Sequence, residues 1–69
     1  MTSQASLTAS EHRVATLLLE GLTNRDIACR LVVSPRTVES HVSRALAKTG
    51  CRNRLELALW MLTMTHTPA

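Results

Sequence analysis

What most constrains this 69-residue chain is its punctuation. Four times a helix-capping residue is followed, three positions later, by a side chain placed to answer it: Thr8 with Glu11, Thr23 with Asp26, Ser34 with Thr37, and Asn53 with Glu56. In a capping box the first side chain accepts a backbone N–H at the third helical position, and the acid reaches back to the cap's own N–H. Ser34 lacks the acid but is followed by Pro35, at the first helical position, where a missing N–H costs nothing. Gly21 and Gly50 stand where a left-handed residue ends a helix. These starts and stops predict four helices, at about residues 9–20, 24–31, 35–49 and 54–64. They leave a domain spanning 7–64, with flexible ends at 1–6 and 65–69.

Composition agrees with an all-α fold. Hydrophobic residues make up 45% of the chain, enough for a folded domain, yet aromatics are 1%, a single Trp60. An aliphatic, Ala-containing core suits helices better than strands. There is no 18-residue apolar run to span a membrane, and no basic-then-apolar leader is visible. The chain has hardly enough length for an active-site cleft and shows no nucleophile–base or paired-carboxylate arrangement, so an enzyme is not expected. Cys29 and Cys51 make no disulfide framework, and with His41 they lack the paired-ligand spacing of a zinc site. No metal or cofactor is expected, and a reduced, cytoplasmic protein fits best.

The net charge of +3 is unevenly placed. Between residues 24 and 54 seven basic side chains face Asp26 and Glu39; elsewhere Arg13 faces Glu11, Glu20 and Glu56. A basic middle between acidic flanks points to a polyanionic partner.

Helical periodicity assigns the faces. The first helix offers Val14, Leu17, Leu18 and Leu19 for burial; the second offers Ile27, Ala28 and Leu31, with Cys29 beside them as partly buried filler. Three residues, Val32, Val33 and Ser34, separate the second helix from the third, which is helix-turn-helix spacing. At 100° per residue the third helix gathers Val38, Val42, Ala45 and Leu46 on a core side. Arg36, Glu39, Ser40, Ser43 and Ala47 lie opposite, and Thr37, His41, Arg44 and Lys48 form a flank. Short hydroxyls and an Ala on the polar side let another surface approach closely. The fourth helix is apolar nearly all round. One stripe, Leu55, Ala58, Leu59 and Leu62, is expected to face the core; a second, Leu57, Trp60, Met61 and Met64, is expected to meet another chain.

Several runs then carry a resemblance. Leu7-Thr8-Ala9-Ser10-Glu11, Glu20-Gly21-Leu22-Thr23-Asn24-Arg25-Asp26-Ile27-Ala28, Ser34-Pro35-Arg36-Thr37-Val38, His41-Val42 and Lys48-Thr49-Gly50-Cys51-Arg52-Asn53-Arg54 together resemble the LuxR-type helix-turn-helix domain of bacterial transcription regulators. The likeness covers about residues 7–62. It implies a four-helix domain that binds double-stranded DNA, with the third helix in the major groove and the fourth pairing with a second subunit; so small a patch predicts a weak homodimer, and its two-fold symmetry a near-palindromic operator. By position, Glu39, Ser40 and Ser43 would read bases; Thr23, Asn24, Arg25, Arg36, Thr37, His41, Arg44 and Lys48 would contact phosphate. RNA polymerase is a further candidate partner. His41 has an alternative role, satisfying a local hydrogen bond at the helix surface.

Three positions depart from the family pattern. Glu39 stands where Lys or Arg is common; a carboxylate repels phosphate but can accept from cytosine N4, so an unusual operator preference or modest affinity is expected. Thr49 replaces an apolar residue and thins the core there, and Cys51 is expected to pack as a small hydrophobe. The competing reading is a protein-interaction module of the same fold, acting through the fourth helix with weak or no specific DNA binding.

Overall fold

The computed structural model describes residues 7–65, the last two by backbone alone; the expected flexible ends otherwise lie outside this range. Four helices follow in order: α1 (Ala9–Leu19), α2 (Asn24–Leu31), α3 (Pro35–Thr49) and α4 (Arg54–Thr65). There is no strand among the described residues. The architecture is the expected all-α one.

The caps form as the sequence implies. Thr8 Oγ1 accepts the Glu11 N–H at 3.1 Å, and Glu11 Oε1 accepts the Thr8 N–H at 3.0 Å. Thr23 and Asp26 repeat the exchange, and Ser34 Oγ accepts from the Thr37 N–H with Pro35 leading α3. At α4, Asn53 Oδ1 accepts the Glu56 N–H, but the Glu56 carboxylate accepts from the Arg52 N–H, one residue further back than a capping box. The stops differ in kind. Gly21 and Gly50 adopt φ of +81° and +76°, where a Cβ would meet nothing within 4 Å. Glycine therefore supplies backbone conformation there and relieves no crowding. Val32, the α2 cap, takes the same left-handed region at φ +57° without being glycine, and is 88% exposed. A β-branched residue there costs on the order of 1–2 kcal/mol.

α1 packs on both α3 and α4, and α2 packs mainly on α3; α2 and α4 share no direct helix packing. The buried apolar set is Val14, Ala15 and Leu18 of α1, Ile27 and Ala28 of α2, Val38 and Ala45 of α3, and Leu57 and Met61 of α4. Leu17, Leu19, Leu31, Val42, Leu46 and Cys51 pack against it half-buried. Thr49 is accommodated by its hydroxyl, which donates to the Ala45 carbonyl at 2.8 Å and accepts the Cys51 N–H at 3.3 Å.

Two readings are corrected. The stripes of α4 are reversed: Leu57 (0% exposed) and Met61 (1%) belong to the domain's own core, so they cannot form a surface for another chain. Trp60 is half-buried against that core, and the Met64 side chain lies outside the described residues. The open face carries Leu55, Leu59 and Leu62, at 67%, 53% and 51% exposure, with Ala58 half-buried. With apolar residues on both sides, hydrophobicity could not choose between them; packing on α1 did. Cys29, expected as filler, is exposed, because the short α2 turns only Ile27 and Ala28 fully inward.

Candidate nucleic-acid interface

The third helix presents the polar face that periodicity assigned to it. Glu39, Ser40 and Ser43 are all exposed, as are Arg36, Arg44 and Ala47. Val38 and Ala45 are buried opposite and fix the helix's rotation. Thr37 and His41 are half-buried on the flank. The Thr37 hydroxyl lies 3.0 Å from that of Ser34, so it is engaged in the helix start. His41 Nδ1 is enclosed and has no hydrogen-bond partner. Only Nε2 of this ring could therefore reach an outside acceptor. The alternative role for His41, a local hydrogen bond at the helix surface, finds no partner at Nδ1.

At the start of α2, Thr23 and Arg25 are exposed and Asn24 is half-buried. The Asp26 N–H is taken by Thr23 Oγ1 at 3.1 Å, and Asp26 accepts the Thr23 N–H at 3.5 Å. The Asn24 and Arg25 N–H groups precede the first intrahelical bond, so the positive end of the helix faces outward there. Arg25, Arg36 and Arg44 have no acidic partner among the described residues.

Arg30 lies 4.0 Å from Glu20 at the surface, and two other cations are engaged with partners distant in sequence. Lys48, predicted as a phosphate contact, donates from Nζ to Glu11 Oε1 at 2.8 Å, across 37 residues of sequence. Glu11 is 1% exposed, the one buried charged side chain among the described residues. The Lys48 hydrogen bond, aided by the Thr8 N–H, holds its carboxyl below the ordinary carboxylate range, against the opposing effect of burial. Lys48 is thus a structural counter-charge that ties the end of α3 to the start of α1. Arg54, which carried no prediction, donates from Nη1 to Asn24 Oδ1 at 2.8 Å and from Nη2 to the Leu22 carbonyl at 3.3 Å.

Sequence reasoning missed Glu11 as a buried charge because a capping acid reads as a surface residue. A signal was present: Glu11, Val14 and Leu18 sit at i, i+3 and i+7, on one stripe. Arg54 had no comparable signal, since its acceptors lie 30 and 32 positions away.

With this geometry in place, comparison with known proteins decides the family. The family of bacterial regulatory proteins described as luxR matches residues 5–61. The chain belongs to the luxR family. A helix-turn-helix-type transcriptional regulator of Mycobacterium bovis is 52% identical over 52 residues, covering 75% of this chain and 6% of that protein. The C4-dicarboxylate transport transcriptional regulatory protein DctR of Rhodobacter capsulatus is 56% identical over 48 residues, covering 70% of this chain and 24% of that protein. The DNA-binding transcriptional activator DevR/DosR of Mycobacterium tuberculosis is 43% identical over 56 residues, 81% of this chain and 26% of that protein. This luxR-family domain thus spans about a quarter or less of these curated relatives, which are named as transcription regulators. Among its described residues no three His, Cys, Asp or Glu side chains cluster to hold a metal, and no helix is long and apolar enough to cross a membrane.

Proposed function

We propose that this domain binds duplex DNA sequence-specifically, as the output module of a bacterial transcription regulator acting in the cytoplasm. The observation that carries the reading is the exposed face of α3: Glu39, Ser40 and Ser43, short and polar, beside the unpaired Arg36 and Arg44. Small polar side chains admit the helix to a major groove, where hydrogen bonds to base edges carry sequence information. Arg25, Arg36 and Arg44 neutralise phosphates, and the open N–H groups at the start of α2 donate to one. His41 contributes through Nε2. Lys48 is left out, since its ammonium already answers Glu11. The naming of one relative as a DNA-binding transcriptional activator supports the same conclusion.

The exposed leucines of α4 support pairing with a second copy. Leu55, Leu59 and Leu62 recur at i, i+4 and i+7, a single helical stripe. A two-fold contact would set the two α3 helices in successive major grooves, with half-site centres roughly 10 base pairs apart. Three leucines per subunit fall well short of the ~1,200 Å² of a stable interface. The isolated domain is then monomeric in dilute solution and pairs on DNA, where adjacent half-sites raise its effective concentration. RNA polymerase is the alternative occupant of this stripe.

The test is selection of a preferred site from random duplexes, followed by salt titration. Wild type enriches a near-palindrome, and Arg44→Ala weakens every duplex alike while lowering the salt slope by roughly 0.9. Equal, weak binding of all duplexes by the wild type would overturn sequence-specific recognition and favour a protein-interaction module.

A further inference from the structure

Arg54 sits at the junction between the start of α4 and the start of α2. The backbones of α2 and α4 do not pack closely on one another, and between them lies an open groove of about 470 Å³, bordered by Leu22, Thr23 and Asn24 on one side and Leu55 and Ala58 on the other. The Arg54 guanidinium spans it. One arm of the fork meets the Asn24 side chain at the first position of α2, and the other meets the Leu22 carbonyl in the connection from α1. A planar guanidinium bonds two acceptors at once with its own geometry pre-set, which a flexible ammonium does not do.

The segment held in this way, Leu22 to Arg25, contains the outward-facing N–H groups of α2. Its own local restraints are modest. The α1–α2 connection turns at the exposed Gly21, the Thr23–Asp26 exchange is solvent-exposed, and α2 is only 8 residues long. A helix that short has little stability of its own and takes its position from what it docks against. We propose that Arg54 is a positioning residue: as a strut from α4, it holds the first turn of α2 in the pose that grips the DNA backbone, and contacts no phosphate itself. This rests on the DNA-binding reading above, and the experiment separates the two.

Arg54→Met keeps an apolar stem over the groove and removes both hydrogen bonds. Amide hydrogen exchange is followed by NMR on the full chain without DNA. The Asp26 and Ile27 amides, which close the first turn of α2, exchange about 10-fold faster in the variant, while Val42 and Ala45 of α3 keep wild-type rates. Asn24→Ala, which removes one acceptor and leaves Arg54 in place, speeds the same two amides. On a generic duplex, Arg54→Met binds several-fold more weakly with an unchanged salt slope. Unchanged exchange at Asp26 and Ile27 in both variants overturns the proposal. So does uniform acceleration across α3. A salt slope lowered by roughly 0.9 makes Arg54 a direct phosphate contact and also overturns it. If the wild type binds no duplex while the exchange effect is present, the DNA-binding reading fails and the strut stands.

Discussion

Helices α3 and α4 each bury one side against α1, and they differ in what they leave in water. Opposite Val38 and Ala45, α3 exposes Glu39, Ser40, Ser43 and Ala47 between two arginines. Opposite Leu57 and Met61, α4 exposes Leu55, Leu59 and Leu62. The first surface is at ease in water and small enough to enter a groove. The second leaves large apolar side chains exposed to water. One short domain thus presents two kinds of exposed surface: a polar one, suited to contact specified by hydrogen bonds and charge, and an apolar one, suited to contact driven by removal from water. α1, packed against both helices, holds them in a fixed relation.

The comparison is tested first within α4. Leu57→Ala removes a fully buried side chain and costs about 2–5 kcal/mol, a large share of what a domain of this size has to lose. Leu59→Ala on the open face changes stability by about 0.5 kcal/mol or less, yet weakens joint occupancy of two adjacent half-sites. Urea unfolding followed by circular dichroism, beside a two-site binding curve, reads both. Equal destabilisation by the two substitutions would erase the distinction between the faces.

A second test concerns the ion pair that ties the end of α3 to α1. Lys48→Ala leaves the buried Glu11 carboxylate without its counter-charge and costs about 1–3 kcal/mol at neutral pH. Because the folded protein depresses the Glu11 pKa, the stabilisation is present above the ordinary value of 4.5 and is lost as the pH falls through the lower, folded value. Thermal melts across that acid range fall less steeply for Lys48→Ala than for wild type. A variant with wild-type stability and an unchanged acid profile would return Lys48 to the pool of free surface cations.

The finest test is on the polar face of α3. Glu39→Ala shifts the preferred base at one position of each half-site by about 1–3 kcal/mol. It also raises affinity for unrelated duplexes, since a negative charge leaves the phosphate field. Competition among duplexes differing at single positions measures the first effect, and a random duplex the second. Reduced affinity for the random duplex would place Glu39 away from the groove.

Local order was legible because it is encoded locally. Thr8, Thr23, Ser34 and Asn53 announce helix starts through contacts within three or four residues, and each observed boundary lies within about one residue of its expected position. The rotation of α3 was equally legible: its polar and apolar residues fall on opposite sides, so only one orientation avoids burying Glu39 and Arg36. α4 lacks that contrast. Both of its sides can be buried without an electrostatic cost, and its orientation was settled by which side chains fit against Val14, Ala15 and Leu18 of α1. The pairing of Glu11 with Lys48, and of Arg54 with Asn24 and the Leu22 carbonyl, was likewise decided only in three dimensions. Each joins groups thirty or more positions apart, and a charge's partner is chosen by proximity after the helices have packed, which no local pattern records.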